Sequence, residues 1–279
     1  MKKTLSVGVA AVLLLTTIAS IAHFSATSEA QDVALQPEKS NITTKVVTYK
    51  DGDTECEGFM AWDSAQSGKR PVVLIVHDWM GRGEFDEAKA RDLAGLGYLA
   101  FSIDVYGKDV RPANAGEAGK AAGSWKGNIA GLRTRLQAGM KTALADKNAD
   151  SSKVSAMGFC FGGTCVLELA RSGAAVNGVI SFHGGLGTET PEDASNIKGK
   201  VLVLHGAADP FANMEEVVAL NKEMSDAKVN YEIDLYGHAV HSFTNKAAGN
   251  DPKRGAAYDA QADARSWKRM QDFFNEIFE

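Results

Sequence analysis

The 279-residue sequence predicts a doubly wound α/β domain with a mostly parallel sheet of about eight strands. Three observations carry this. Unbroken apolar runs such as Pro71–His77 and Val201–Leu204 lack the alternation of a half-wet strand, so both faces are covered, as in a parallel sheet. Amphipathic segments of helical period separate those runs. The pattern Gly158-x-Cys160-x-Gly162 then places a cysteine at a tight turn between an apolar run and a helix-compatible one.

The elements follow in order. Thr43–Lys50 and Glu55–Trp62 around Asp51-Gly52-Asp53 read as a hairpin. Pro71–His77 is a buried strand, Phe85–Leu96 a helix closed by Gly97, and Tyr98–Asp104 the next strand. Gly107–Gly127 mixes glycine, alanine and charge without a clear strand, and Ile129–Ala145 is helical. Val154–Phe159 enters the cysteine turn and Gly163–Arg171 leaves it as a helix. Val176–His183, Val201–His205 and Val229–Leu235 are further strands, with Met214–Ala227 a helix before the last. Tyr258–Phe278 closes the chain as a helix whose apolar face carries Trp267, Met270, Phe273, Phe274 and Ile277. No composition break follows residue 41, so residues 43–279 are expected to be one domain.

Composition narrows the function. A hydrophobic content of 44% supports a sizeable core, and a net charge of −5 without a basic cluster argues against nucleic acid as a partner. Lys2 and Lys3 ahead of the apolar run Val7–Ile18 have the layout of a signal peptide, ending at Ser28-Glu29-Ala30 or Ser20-Ile21-Ala22. The run is short for a membrane span, and no cysteine near it offers a lipid anchor. Residues 1–30 are therefore read as a signal peptide and 31–42 as a linker. The expected product is periplasmic or secreted, with no stable membrane insertion after cleavage.

Three cysteines make an odd count for an oxidising compartment, so one stays free or pairs between chains. Cys160 and Cys165 are poorly placed to bridge; a Cys56–Cys165 bridge stays open, with burial the expected role of Cys56. The six histidines lack metal-ligand spacing, and neither metal nor cofactor is expected.

The chemistry centres on Cys160. A strand that turns at once into a helix strains the nucleophile's backbone, so the flanking residues must be glycine. A thiol nucleophile needs a base and a carboxylate to orient that base, which in this architecture follow in the order acid, then histidine. Asp209 lies just past the Val201–Leu204 strand, and His238 and His241 lie past the last strand. The expected oxyanion donors are the N–H groups of Phe161, which follows the nucleophile, and of Trp79 in the loop after the third strand. Trp125, Phe211 and Phe243 are candidate linings of an acyl pocket.

Five segments together resemble dienelactone hydrolase: His77-Asp78-Trp79-Met80-Gly81, Asp104-Val105-Tyr106-Gly107, Gly158-Phe159-Cys160-Phe161-Gly162-Gly163, His205-Gly206-Ala207-Ala208-Asp209, and Gly237-His238-Ala239-Val240-His241-Ser242-Phe243. The resemblance spans roughly residues 43–279. It implies an α/β-hydrolase fold, a Cys160–His241–Asp209 triad and hydrolysis of lactones or related esters through a thioester. It also selects His241 over His238, because the family's histidine directly precedes Ser-Phe. Where the family has a glutamate contacting the resting thiol, this chain has Asp78, one methylene shorter. Where the family holds a substrate carboxylate with two arginines, this chain has Lys108 and Asn245, so the implied chemistry carries over better than the implied specificity.

Two readings of other classes compete. A redox protein would use Cys160 as a sulfenic acid or mixed disulfide, with Cys165 the sole resolving candidate. A non-catalytic binding protein would have no need of all three residues.

Overall fold

The computed structural model describes Met1 and residues 41–279; the anticipated signal peptide and nearly all of the linker lie outside the described residues. Strands β1 (Ile42–Asp51) and β2 (Thr54–Asp63) pair along their whole length about a turn in which Gly52 takes a positive φ of 57°. β2 pairs antiparallel with β4 (Leu99–Ile103). The other strands are β3 (Arg70–Val76), β5 (Ala149–Phe159), β6 (Gly178–Phe182), β7 (Lys200–Gly206) and β8 (Tyr231–Tyr236). The sheet order is β1-β2-β4-β3-β5-β6-β7-β8, parallel from β4 onward.

Val72–Val76 of β3 show why apolar runs read as central strands. All five side chains are buried, and successive ones enter opposite cores. Val72, Leu74 and Val76 join the cluster under α3 (Ile129–Leu144), α4 (Phe161–Arg171) and α5 (Met214–Asp226). Val73 and Ile75 join the cluster under α1 (Glu84–Gly95) and α6 (Ala260–Phe278). Each such side chain contributes roughly 1.5–3 kcal/mol of burial.

From β3 the chain crosses to β4 on one side and returns to β5 on the other. The strand order therefore reverses at β3, and the crevice at the carboxyl ends of β3 and β5 is where ligands bind in such sheets. α4 starts there and is buried along its whole length. Its last residue, Arg171, is fully buried between Glu168 and Glu223 and anchors the helix behind the turn.

Two open points are settled. The Gly107–Gly127 segment, read as lacking a clear strand, contains α2 (Ala115–Lys126), capped by Asn114, whose side chain accepts the Glu117 N–H. All three cysteines are free, with Cys56 buried as expected and Cys165 buried, so no Cys56–Cys165 bridge forms. Among the described residues no helix is long and apolar enough to cross a membrane.

Candidate active site

β5 ends at Phe159 and α4 begins at Phe161, leaving Cys160 alone to turn the chain, at φ 56° and ψ −117°. A non-glycine residue held in this region is strained, and the surrounding structure must hold it there. The glycines on either side are obligatory. A Cβ on Gly158 would lie 2.0 Å from the Gly162 carbonyl oxygen, and one on Gly162 would lie 2.1 Å from that of Val76. Cys160 thus caps α4 at the end where the helix dipole favours negative charge.

The loops after β7 and β8 meet beside it. Asp209 is buried; its Oδ1 accepts the N–H groups of Phe211 (2.8 Å) and Ala212 (3.2 Å), and its Oδ2 lies 2.7 Å from Nδ1 of His241. Burial opposes a charge on His241. The hydrogen bonds and charges of Asp209 and Cys160 outweigh it and push the imidazole up to about 10. His238 is exposed.

The loop after β3 is held through the peptides on both sides of Trp79. His77 Nε2 accepts the Val105 N–H at 3.2 Å, so Nδ1 carries the proton and donates to the Asp78 carbonyl at 2.6 Å. Burial pushes His77 down to about 4, which keeps it in this neutral form. The Tyr106 hydroxyl donates to the Trp79 carbonyl at 2.9 Å. In a trans peptide the N–H points opposite to the C=O, so fixing the Asp78 carbonyl also aims the Trp79 N–H. Among the described residues, neither the Trp79 nor the Phe161 N–H has an acceptor.

A cavity of about 380 Å3 opens over Cys160 and His241. Its floor includes Phe161 and the Trp79 backbone, its rim the exposed Phe211, and its outer wall Gly119, Ala122, Gly123 and Lys126 of α2. A larger hollow lies at the opposite ends of the strands, around Ser151, Asn177 and Asn230, far from this constellation.

Two expected linings, Trp125 and Phe243, and the candidate substrate contact Lys108 fall elsewhere. Trp125 points off the wall face of α2 and stacks under the Arg135 guanidinium, 4.8 Å from its ring centre. Phe243 is buried beneath the site against His183 and Tyr236, because Ser242 (φ 57°) turns the chain inward. Lys108 pairs with Glu55 at the surface. Asp78 spends Oδ1 on the Met80 N–H, and it makes no hydrogen bond to Cys160 among the described residues; burial raises its pKa, against the nearby His241. Cys165 is buried with its thiol pushed well up by burial, so it is not a resolving thiol open to the cavity. The α2 wall and the buried His77 and His183 were not anticipated, since no sequence pattern separates such residues from ordinary helix and core positions.

A mostly parallel sheet with a strained cysteine turn after β5, an acid after β7 and a histidine after β8 defines an α/β-hydrolase. The chain belongs to the dienelactone hydrolase family, whose model matches residues 57–278. It is 38% identical to the solved structure named m3DLH, covering 86% of this chain and all of that one with a TM-score of 0.82. A dienelactone hydrolase-like promiscuous phosphotriesterase, P91, from metagenomic libraries is 40% identical, with 85% and 99% covered and a TM-score of 0.81. An uncharacterized protein of Caenorhabditis elegans, K02A2.1, is 34% identical over 152 residues, 53% of this chain and 94% of its own length. The chain is accordingly a hydrolase acting on ester or lactone bonds.

Proposed function

We propose that this chain is an exported hydrolase that cleaves small lactones or carboxylic esters through a Cys160–His241–Asp209 triad and a thioester intermediate. One observation carries the reading: the strained Cys160 shares a cavity with a His241 whose far nitrogen is held by the buried Asp209.

His241, raised to about 10, faces the Cys160 sulfur as an imidazolium, ready to donate a proton. The thiolate attacks the carbonyl carbon, and the new oxyanion takes the N–H groups of Phe161 and Trp79. As the C–O bond breaks, His241 gives its proton to the leaving alkoxide; in a lactone that alcohol stays tethered to the acyl group. Neutral His241 then takes a proton from water, hydroxide attacks the thioester, and the thiolate leaves. Asp209 keeps Nδ1 protonated, so Nε2 handles both transfers.

The lining is mainly apolar, with Lys126 the one permanent charge. It suits compact, largely uncharged acyl groups. Export rests on the signal layout of residues 1–30.

The test follows hydrolysis of p-nitrophenyl esters, simple lactones and a neutral p-nitrophenyl phosphotriester by the purified protein and its Cys160→Ala variant. Ester or lactone turnover that disappears in folded Cys160→Ala supports the reading. Turnover that persists, or its absence with Cys160 shown reduced, contradicts it. N-terminal sequencing of protein recovered from the periplasm or medium tests export, and an intact Met1 there would refute cleavage.

A further inference from the structure

His183 follows β6 directly and lies in the left-handed region, with φ 39°. Glycine would take that backbone without strain. A histidine there, buried and outside the cavity lining, needs a reason in its side chain. Its ring lies between the two loops that carry Cys160 and His241. Nδ1 accepts the backbone N–H of Cys160 at 3.2 Å, a proton shared with the Phe182 carbonyl at 3.0 Å. Nδ1 therefore bears the lone pair and Nε2 the hydrogen, which goes to Thr244 Oγ1 at 2.8 Å. Thr244, also buried, lies on the Ser242–Asn245 turn that directly follows His241. The His183 ring also meets His241 edge to face, with centres 5.3 Å apart, and meets Phe243 at 5.0 Å. Burial, reinforced by His241 and His205, keeps this imidazole neutral.

We propose that His183 is a positioning residue: a one-tautomer tether that locks the Cys160 turn to the His241 loop and so keeps Sγ and imidazole in register during acyl transfer. The proposal rests on the reading of Cys160 and His241 given above. A tether of this kind acts on kcat and not on KM, because it touches no substrate. Its two ends are separable. Thr244→Val removes the acceptor of Nε2 at nearly constant volume. His183→Asn keeps an acceptor in the place of Nδ1 and tolerates positive φ, but does not reach Thr244. His183→Leu removes both ends.

The experiment measures kcat, KM, Tm and the pH profile of Cys160 alkylation by iodoacetamide for these variants, with Cys160→Ala alongside. The expected result is a fall in kcat of about tenfold or more for Thr244→Val with KM within about twofold, since small misplacements of reacting groups are costly. The alkylation profile shifts, His183→Asn retains more activity than His183→Leu, and Thr244→Val adds nothing to His183→Leu. Wild-type kcat and alkylation in both Thr244→Val and His183→Asn, with Cys160→Ala inactive, would overturn the tether alone. Losses that merely follow Tm would do the same. Full activity in Cys160→Ala would overturn the tether together with the reading beneath it.

Discussion

The floor of the cavity and its outer wall are built by different means. At the floor, each functional group is fixed by backbone or by buried hydrogen bonds: Cys160 by its strained φ, the Trp79 peptide by His77 and Tyr106, and His241 by Asp209. At the wall, α2 shows the cavity two glycines, an alanine and an exposed lysine, and among the described residues no comparable hydrogen-bond network fixes those four. Rigid elements hold reacting atoms to the tolerance that chemistry needs, while a wall of small side chains sets only what fits. Changes in the floor should therefore cost orders of magnitude, and changes in the wall should redistribute substrates.

The sharpest break is Asp209→Asn. Its Oδ1 keeps the Phe211 and Ala212 N–H groups, so the amide nitrogen faces His241 Nδ1 and imposes the wrong tautomer. kcat should fall on the order of 10^4-fold with little change in KM, and Tm should drop at neutral pH because the charged His241 loses the carboxylate that raises it. Behind the floor, Arg171→Ala leaves the buried Glu223 without its guanidinium and Glu168 with Arg133 alone, at a cost of about 3–5 kcal/mol in urea unfolding. Gly158→Ala drives a methyl into the Gly162 carbonyl, where neither backbone can yield. About 3 kcal/mol or more should be lost, with activity falling faster than stability.

A gentler probe is pH. His241 is raised from 6.5 to about 10, so its charged form stabilises the fold. That stabilisation is complete below about pH 6.5 and is lost as pH rises through about 10. Cys160→Ala removes part of what raises the imidazole, so urea midpoints between pH 6.5 and 10 should fall less in the variant than in the wild type. The smallest effect belongs to the rim: Phe211→Ala should alter kcat/KM by less than about tenfold, unevenly across acyl lengths. A uniform loss of 10^3-fold there would erase the distinction between floor and wall.

The same division governs what was legible in the sequence. Strands covered on both faces announce themselves as unbroken apolar runs, and Val72–Val76 shows why. The flanking glycines were legible because the turn after β5 constrains them sterically, and the acid because chain order places it after β7; His241 was separated from His238 only by the family resemblance. The wall was not. Gly116, Gly119 and Gly123 weaken the helical signal of residues 115–126, although Asn114 and Glu117 form a cap that marks its start. Trp125 attracts attention as an aromatic, yet Gly119, Ala122, Gly123 and Lys126 share the cavity-facing stripe and Trp125 lies off it. Phe243 likewise turns inward at Ser242, a positive φ that no pattern announces. His183 reads as the end of a strand, and only the fold brings it between two loops.

The most direct test of the central claim is to trap the acyl-enzyme. The protein is mixed with a slowly deacylating p-nitrophenyl ester, quenched in acid within the first turnover and digested for mass spectrometry. The account predicts a burst of p-nitrophenol and the acyl mass on the peptide carrying Cys160, with neither seen in Cys160→Ala. Steady turnover without a burst, full activity in Cys160→Ala, or acyl mass on another residue would contradict it.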